Sequence, residues 1–174
     1  MYETEAELAE LDSLLTTSLR ASGTHLRGII TEGERTLDAR QTAGYLTGMR
    51  TLAVATVTSH GEPRISGLDG HFLHARWVFT TAGNAVKARH LRAHPATSVA
   101  HVVGDEVGFF CHGHAEFLAP SHPDFAEIED HLVRHYGSSP RSWGEDIVYI
   151  RVQPHWMVSY AGAKADVVAD LDPI

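Results

Sequence analysis

One cysteine, Cys111, stands in 174 residues, which excludes an internal disulfide. No paired Cys-x-x-Cys and no His-Glu-x-x-His occurs, so zinc finds no recognisable ligand set, and no metal is expected. No apolar run approaches the roughly 20 residues that span a bilayer, and the acidic start MYETEAELAELD is unlike a signal peptide. A cytoplasmic protein is expected. The formal charge of −8 argues against nucleic acid or an anionic membrane as partner. The most informative absence is local: between Gly70 and Gly104 there is no Asp or Glu. That window carries Arg76, Lys87, Arg89 and Arg92, while all 22 acids lie outside it. A positive field confined to one stretch of an acidic chain fits a discrete anion held there better than attraction to a polyanion. Charge alone leaves a solvated basic face with no ligand equally open.

What is present is enough for one domain with a sizeable core, since 43% of the residues are hydrophobic. Leu8, Leu11, Leu14, Leu15 and Leu19 fall at helical spacing beside Glu3, Glu5, Glu7, Glu10 and Asp12, which predicts an amphipathic helix needing a partner surface. Residues 21–37 read ambiguously. Asp38 is placed to cap a short helix, ARQTAGYL. LAVATV reads as a strand apolar on both faces, as in a covered barrel, Ser59–Pro63 as a tight turn, and RISGL and HARWVFTT as further strands. On RISGL the two-residue period puts Arg64, Ser66 and Leu68 on one face. Gly83-Asn84 breaks the next strand, with Asn84 the expected N-cap of a helix AVKARHLRA that ends before Pro95. Lys87 then lies in or beside the first turn, where the macrodipole disfavours a cation unless an anion is bound. TSVAHVV and EVGFFCHGHAEFL read as an antiparallel pair about Gly104-Asp105, Pro120–Tyr136 as a helix stopped by Gly137, and IVYIRVQP with HWMVSYAG as a closing hairpin.

The ordered set GEPRIS, WVFTT and NAVKARHLRxHP resembles the pyridoxamine 5'-phosphate oxidase-like superfamily, in particular its flavin and deazaflavin (F420) oxidoreductase branch. The resemblance covers residues 38–118 well and the C-terminal strands weakly. It implies a mainly β fold, an antiparallel six- to seven-stranded split barrel with flanking helices. Residues 1–37 would form the N-terminal helix and connector, and residues 38–174 the cofactor-binding barrel, within a single domain overall. It further implies that Arg64 and Lys87 contact a cofactor phosphate, that Ser66, Thr80 and Thr81 contact the cofactor from strands, and that Arg89 is an additional contact in this branch. Trp156 matches an aromatic that approaches the cofactor of the partner subunit, so a homodimer with interface sites is implied. The chain departs from the oxidase proper at Asp69, where that enzyme tends to have lysine, and at Val86-Lys87, where it has an Arg-Lys pair.

The function implied is hydride transfer between bound F420 or FMN and a small conjugated or aromatic substrate, F420 being slightly favoured because Arg89 and Arg92 suit a longer anionic tail. The alternative is a haem- or flavin-binding protein for carriage, sensing or degradation, with an exposed histidine as axial ligand. His112 and His114 share one strand face and Cys111 the other, so this histidine-rich piece supplies two ligands at most.

Overall fold

The computed structural model describes residues 2–169 and 171. Six strands, β1 (Met49–Val57), β2 (Pro63–Leu73), β3 (Arg76–Ala82), β4 (Ala96–Val103), β5 (Val107–Leu118) and β6 (Ile147–Ala161), form a closed barrel in the order β1-β2-β3-β6-β5-β4. Every pairing is antiparallel, and β4 closes the barrel on β1 through Ala53–Ala55. The helices are α1 (Glu5–Ala21), α2 (Thr24–Ile29), α3 (Ala39–Tyr45), α4 (Val86–Ala93), α5 (Phe125–Tyr136) and α6 (Lys164–Ala169), with a single 3-10 turn at Pro140–Trp143. The expected six- to seven-stranded split barrel with flanking helices is therefore what the chain forms, with six strands. Among the described residues no helix is long and apolar enough to cross a membrane.

The barrel interior is filled by the inward residues of alternating strands, among them Leu52, Val54, Trp77, Phe79, Phe109 and Ile150, each at most 1% exposed. Burying one such side chain is worth about 1.5–3 kcal/mol. Leu8, Leu11 and Leu15 of α1 belong to the same core. A capping box joining Thr4 and Glu7 starts that helix, and Ser18 Oγ accepts from the Met157 N–H at 3.0 Å, fixing α1 over β6. Asp38 caps α3 through the Gln41 N–H, as its position predicts.

Three local expectations fail for identifiable reasons. β6 is one strand of 15 residues, not a hairpin, because a register shift opposite His112/Gly113 absorbs Pro154 and His155 without ending the strand. Gly113 suits that bulge, since a Cβ there would lie 2.3 Å from the Gln153 carbonyl oxygen. The helix expected from Pro120 starts only at Phe125, because residues 119–125 are taken up by turns around Pro123, with the Phe125 N–H bonded to the His122 carbonyl. The cap of α4 is Ala85, not Asn84: the Ala85 N–H bonds to Ala82 O at 2.9 Å in a tight turn, leaving Asn84 exposed.

β1 is buried on one face only. Leu52, Val54 and Thr56 point inward, while Thr51 and Ala53 are exposed. Their outer face continues laterally into Ile65 (76% exposed), Ala100 and Phe110, so the strand expected to be covered on both sides has an open apolar side.

Candidate functional site

Of the cations in the acid-free stretch, those of α4 lie at one end of the barrel, whereas Arg76, at the start of β3, is held at the other end by Gln153, the His74 carbonyl and Glu10. Register pairs Arg64 of β2 with Thr56 of β1, a residue 2% exposed, whose hydroxyl lies 3.0 Å from His90 Nδ1 on α4. Lys87 precedes His90 by one helical turn and shares its flank, so α4 brings His90 to Thr56 of β1 with Lys87 one turn before it, and Arg64 stands next to Thr56 on β2. Ala88 and Leu91 anchor the helix in the core. No side chain caps its first turn, which leaves those N–H groups available beside Lys87.

Ser66 pairs with Val54 and points to the inward side, as Arg64 does. Thr81 follows Trp77 and Phe79 on the inward face of β3, whereas Thr80, paired with Tyr149, lies on the opposite face toward α5. The two threonines thus do not act on one ligand face. Arg89 is exposed on α4. Arg92 turns to the other flank, where its guanidinium donates to the Gly83 carbonyl and sits 4.9 Å over the Phe117 ring. Arg92 is thus engaged with its own chain and not turned toward Lys87, contrary to the expectation of a role at a longer tail. Arg64 pairs with Glu62 at 2.7 Å, both more than half exposed. Among the described residues no carboxylate forms an ion pair with Lys87, Arg89 or Arg92.

Trp156 belongs to a second surface. A lateral row on the outer face runs Ile65, Ala55, Ser98, His112, Trp156 across β2, β1, β4, β5 and β6. The Trp156 and His112 rings stack with centroids 4.5 Å apart, and Ser98 Oγ meets His112 Nδ1 at 2.8 Å. Burial first, then the nearby His155, lowers the pKa of His112 and keeps it neutral. Trp156 thus lies four strand steps along this row from Ile65, the neighbour of Arg64.

Cys111 faces the core and burial pushes its thiol up to about 12, so it is no nucleophile at neutral pH. Among the described residues no group of three or more His, Cys, Asp or Glu side chains is arranged to hold a metal ion. His90 and Thr56 escape a reading by charge, although the spacing of His90 from Lys87 places them on one helix flank.

Comparison with solved structures shows where this architecture recurs. The fold matches a conserved hypothetical protein from Mycobacterium tuberculosis with TM-score 0.64 and 18% identity, covering 82% of this chain and 94% of that one. It matches an F420 reductase with TM-score 0.52 and 23% identity, over 65% and 92% of the two chains. A haem storage protein from Vibrio cholerae matches with TM-score 0.58 and 16% identity, over 70% and 92%. No curated protein matches the sequence. The family model described as pyridoxamine 5'-phosphate oxidase matches residues 40–159, from α3 through β6 and so including the cationic end and the outer row alike. On that match over most of its length, the chain belongs to the pyridoxamine 5'-phosphate oxidase family.

Proposed function

We propose that the protein is an oxidoreductase that binds F420 or FMN by its phosphate at the β1–β2–α4 end and acts on a small conjugated or aromatic substrate. The observation that carries this reading is the pair of cations there, Arg64 on β2 and Lys87 in the uncapped first turn of α4, the latter in a stretch with no acid of its own. An anionic tail relieves their mutual repulsion and accepts charge-assisted hydrogen bonds from them. The bound ring would supply hydride transfer. The chain's part is to hold the tail, orient the ring on the sheet and exclude water. Arg89, exposed and without an ion-pair partner among the described residues, keeps F420 slightly ahead of FMN, because its tail carries more negative charge.

The same reading includes a homodimer. The open face of Ala53, Ile65, Ala100 and Phe110 needs cover, and Trp156, on the same outer side of the sheet, is placed to reach a ring held by a second copy. Haem is the alternative, favoured by the exposed His112 and His114 on that outer face. The visible absorption spectrum of the purified protein, followed by titration with F420, FMN and haemin, decides among them. Saturable binding of F420 or FMN supports the proposal. A haem Soret band with no binding of either flavin-type cofactor replaces it with the alternative.

A further inference from the structure

The hydroxyl of Thr56 is buried, and its one hydrogen-bond partner among the described residues is His90 Nδ1 at 3.0 Å. If Nδ1 carried the proton, Thr56 would accept and its own O–H would donate to nothing, a buried unsatisfied donor that is costly. The arrangement that satisfies both groups has Thr56 donating to Nδ1. The neutral imidazole then carries its proton on Nε2, the nitrogen facing away from β1. His90 is only partly buried, stands one turn from Lys87, and is tied to the β1 residue whose register partner is Arg64.

We propose that His90 is a third donor of the anion site, with Thr56 fixing the tautomer so that Nε2–H joins Lys87 and Arg64 on the cofactor phosphate. The inference deepens the cofactor reading above and rests on it. It separates roles within the site: the two cations supply charge, while His90 supplies a directed neutral donor whose aim is set from β1. It also gives Thr56 a task that core packing alone does not require, since valine fills the same volume.

The test compares FMN with riboflavin, which has the same ring and lacks the phosphate, by fluorescence titration of wild type, His90→Ala, His90→Gln, His90→Asn and Thr56→Val. Glutamine places an amide N–H near the position of Nε2, and asparagine places one near Nδ1. His90→Ala and His90→Asn are expected to bind FMN about tenfold more weakly, His90→Gln close to wild type, and all of them riboflavin unchanged. Thr56→Val frees both tautomers and is expected to weaken FMN about twofold, the competent fraction having halved. Equal FMN affinity in wild type and His90→Ala, or an equal loss for riboflavin, overturns the role of His90. Failure of wild type to bind either FMN or F420 overturns the cofactor reading instead. In that event the thermal shift given by inorganic pyrophosphate still judges His90: a shift in wild type and His90→Gln but not in His90→Ala supports it, and any other pattern overturns it.

Discussion

Two clusters of charged and polar side chains sit on this barrel, and they are built on opposite plans. Under α5, every strong group has a partner inside the protein. Arg151, on β6 with its side chain 8% exposed, is held by Glu116 at 2.9 Å, by Asp124 and by His122 Nε2 at 3.1 Å. Beside it His71 of β2, 1% exposed, bonds His131 through Nδ1 at 2.9 Å and Tyr136 through Nε2 at 3.1 Å. At the α4 end, Lys87 and Arg89 have no ion-pair partner among the described residues, and Arg64 has only an exposed one. A self-satisfied network holds a helix in place. A cluster of uncompensated cations is what a ligand completes, and the contrast locates the site more firmly than either cluster alone.

The sharpest way to break the comparison is at Arg151. Burial by itself would raise the pKa of Glu116, but hydrogen bonds from Gln153 and Arg151, together with the guanidinium charge, outweigh it and lower it. Asp124 is lowered by the same guanidinium against the same opposing burial. Arg151→Ala leaves two carboxylates, each about a third exposed, without their guanidinium, and is expected to cost about 1.5–3 kcal/mol of stability. Chemical denaturation measures this. A loss below about 1 kcal/mol would place the Arg151 network with ordinary surface ion pairs.

Next in size is the response to acid. Burial first, then the imidazoles of His131 and His135, lowers His71 to about 3, and His131 is lowered as well. Tyr2, whose ring meets His131 edge to face and whose hydroxyl accepts from Arg134, completes the surroundings on that side, and Asp69 faces Tyr136 on the other. Because the folded pKa lies below the unfolded value, about 6.5, the stabilisation is complete above pH 6.5. It is lost as pH falls toward 3. Between pH 6.5 and 4.5, before the carboxylates titrate, His71 alone should remove about 2 kcal/mol. His71→Gln should flatten most of this slope in the pH dependence of Tm. A slope unchanged in the variant would assign the acid sensitivity to other groups.

The two clusters also differ in how far the amino-acid order discloses them. The acid-free stretch, the cation spacing on α4 and the strand order leading into it are local, so composition and periodicity reach them. The α5 network is not local: His71 and His131 are 60 residues apart and meet only because α5 returns across the outer face of β2 and β3. Thirteen histidines weighed one at a time do not reveal that pairing. Pro154 misleads for a related reason. It marks a strand end when read alone, and the bulge that tolerates it depends on Gly113, which precedes it by 41 positions and faces it across the sheet. Thr80 and Thr81 are adjacent in sequence and therefore on opposite faces of β3, which the strand period already requires.

The smallest effect on the folded chain, and the one that most directly sharpens the comparison, is expected at Lys87 and Arg64. Lys87 sits in the first turn of α4, where the helix dipole opposes a cation, so its removal from the cofactor-free protein should leave stability almost unchanged. Arg64→Ala gives up only an exposed pair with Glu62, worth less than about 1 kcal/mol. In binding the order reverses. Each variant loses a charge-assisted phosphate contact and should weaken cofactor affinity by about 1.5–3 kcal/mol, roughly ten- to a hundredfold. Arg20→Ala, whose exposed partner is Glu32, changes neither quantity and serves as control. Arg151→Ala, corrected for its lower stability, should bind the cofactor as wild type does. If Lys87→Ala bound equally well, or unfolded, the α4 end would be one more structural cluster and the division between the two ends would collapse.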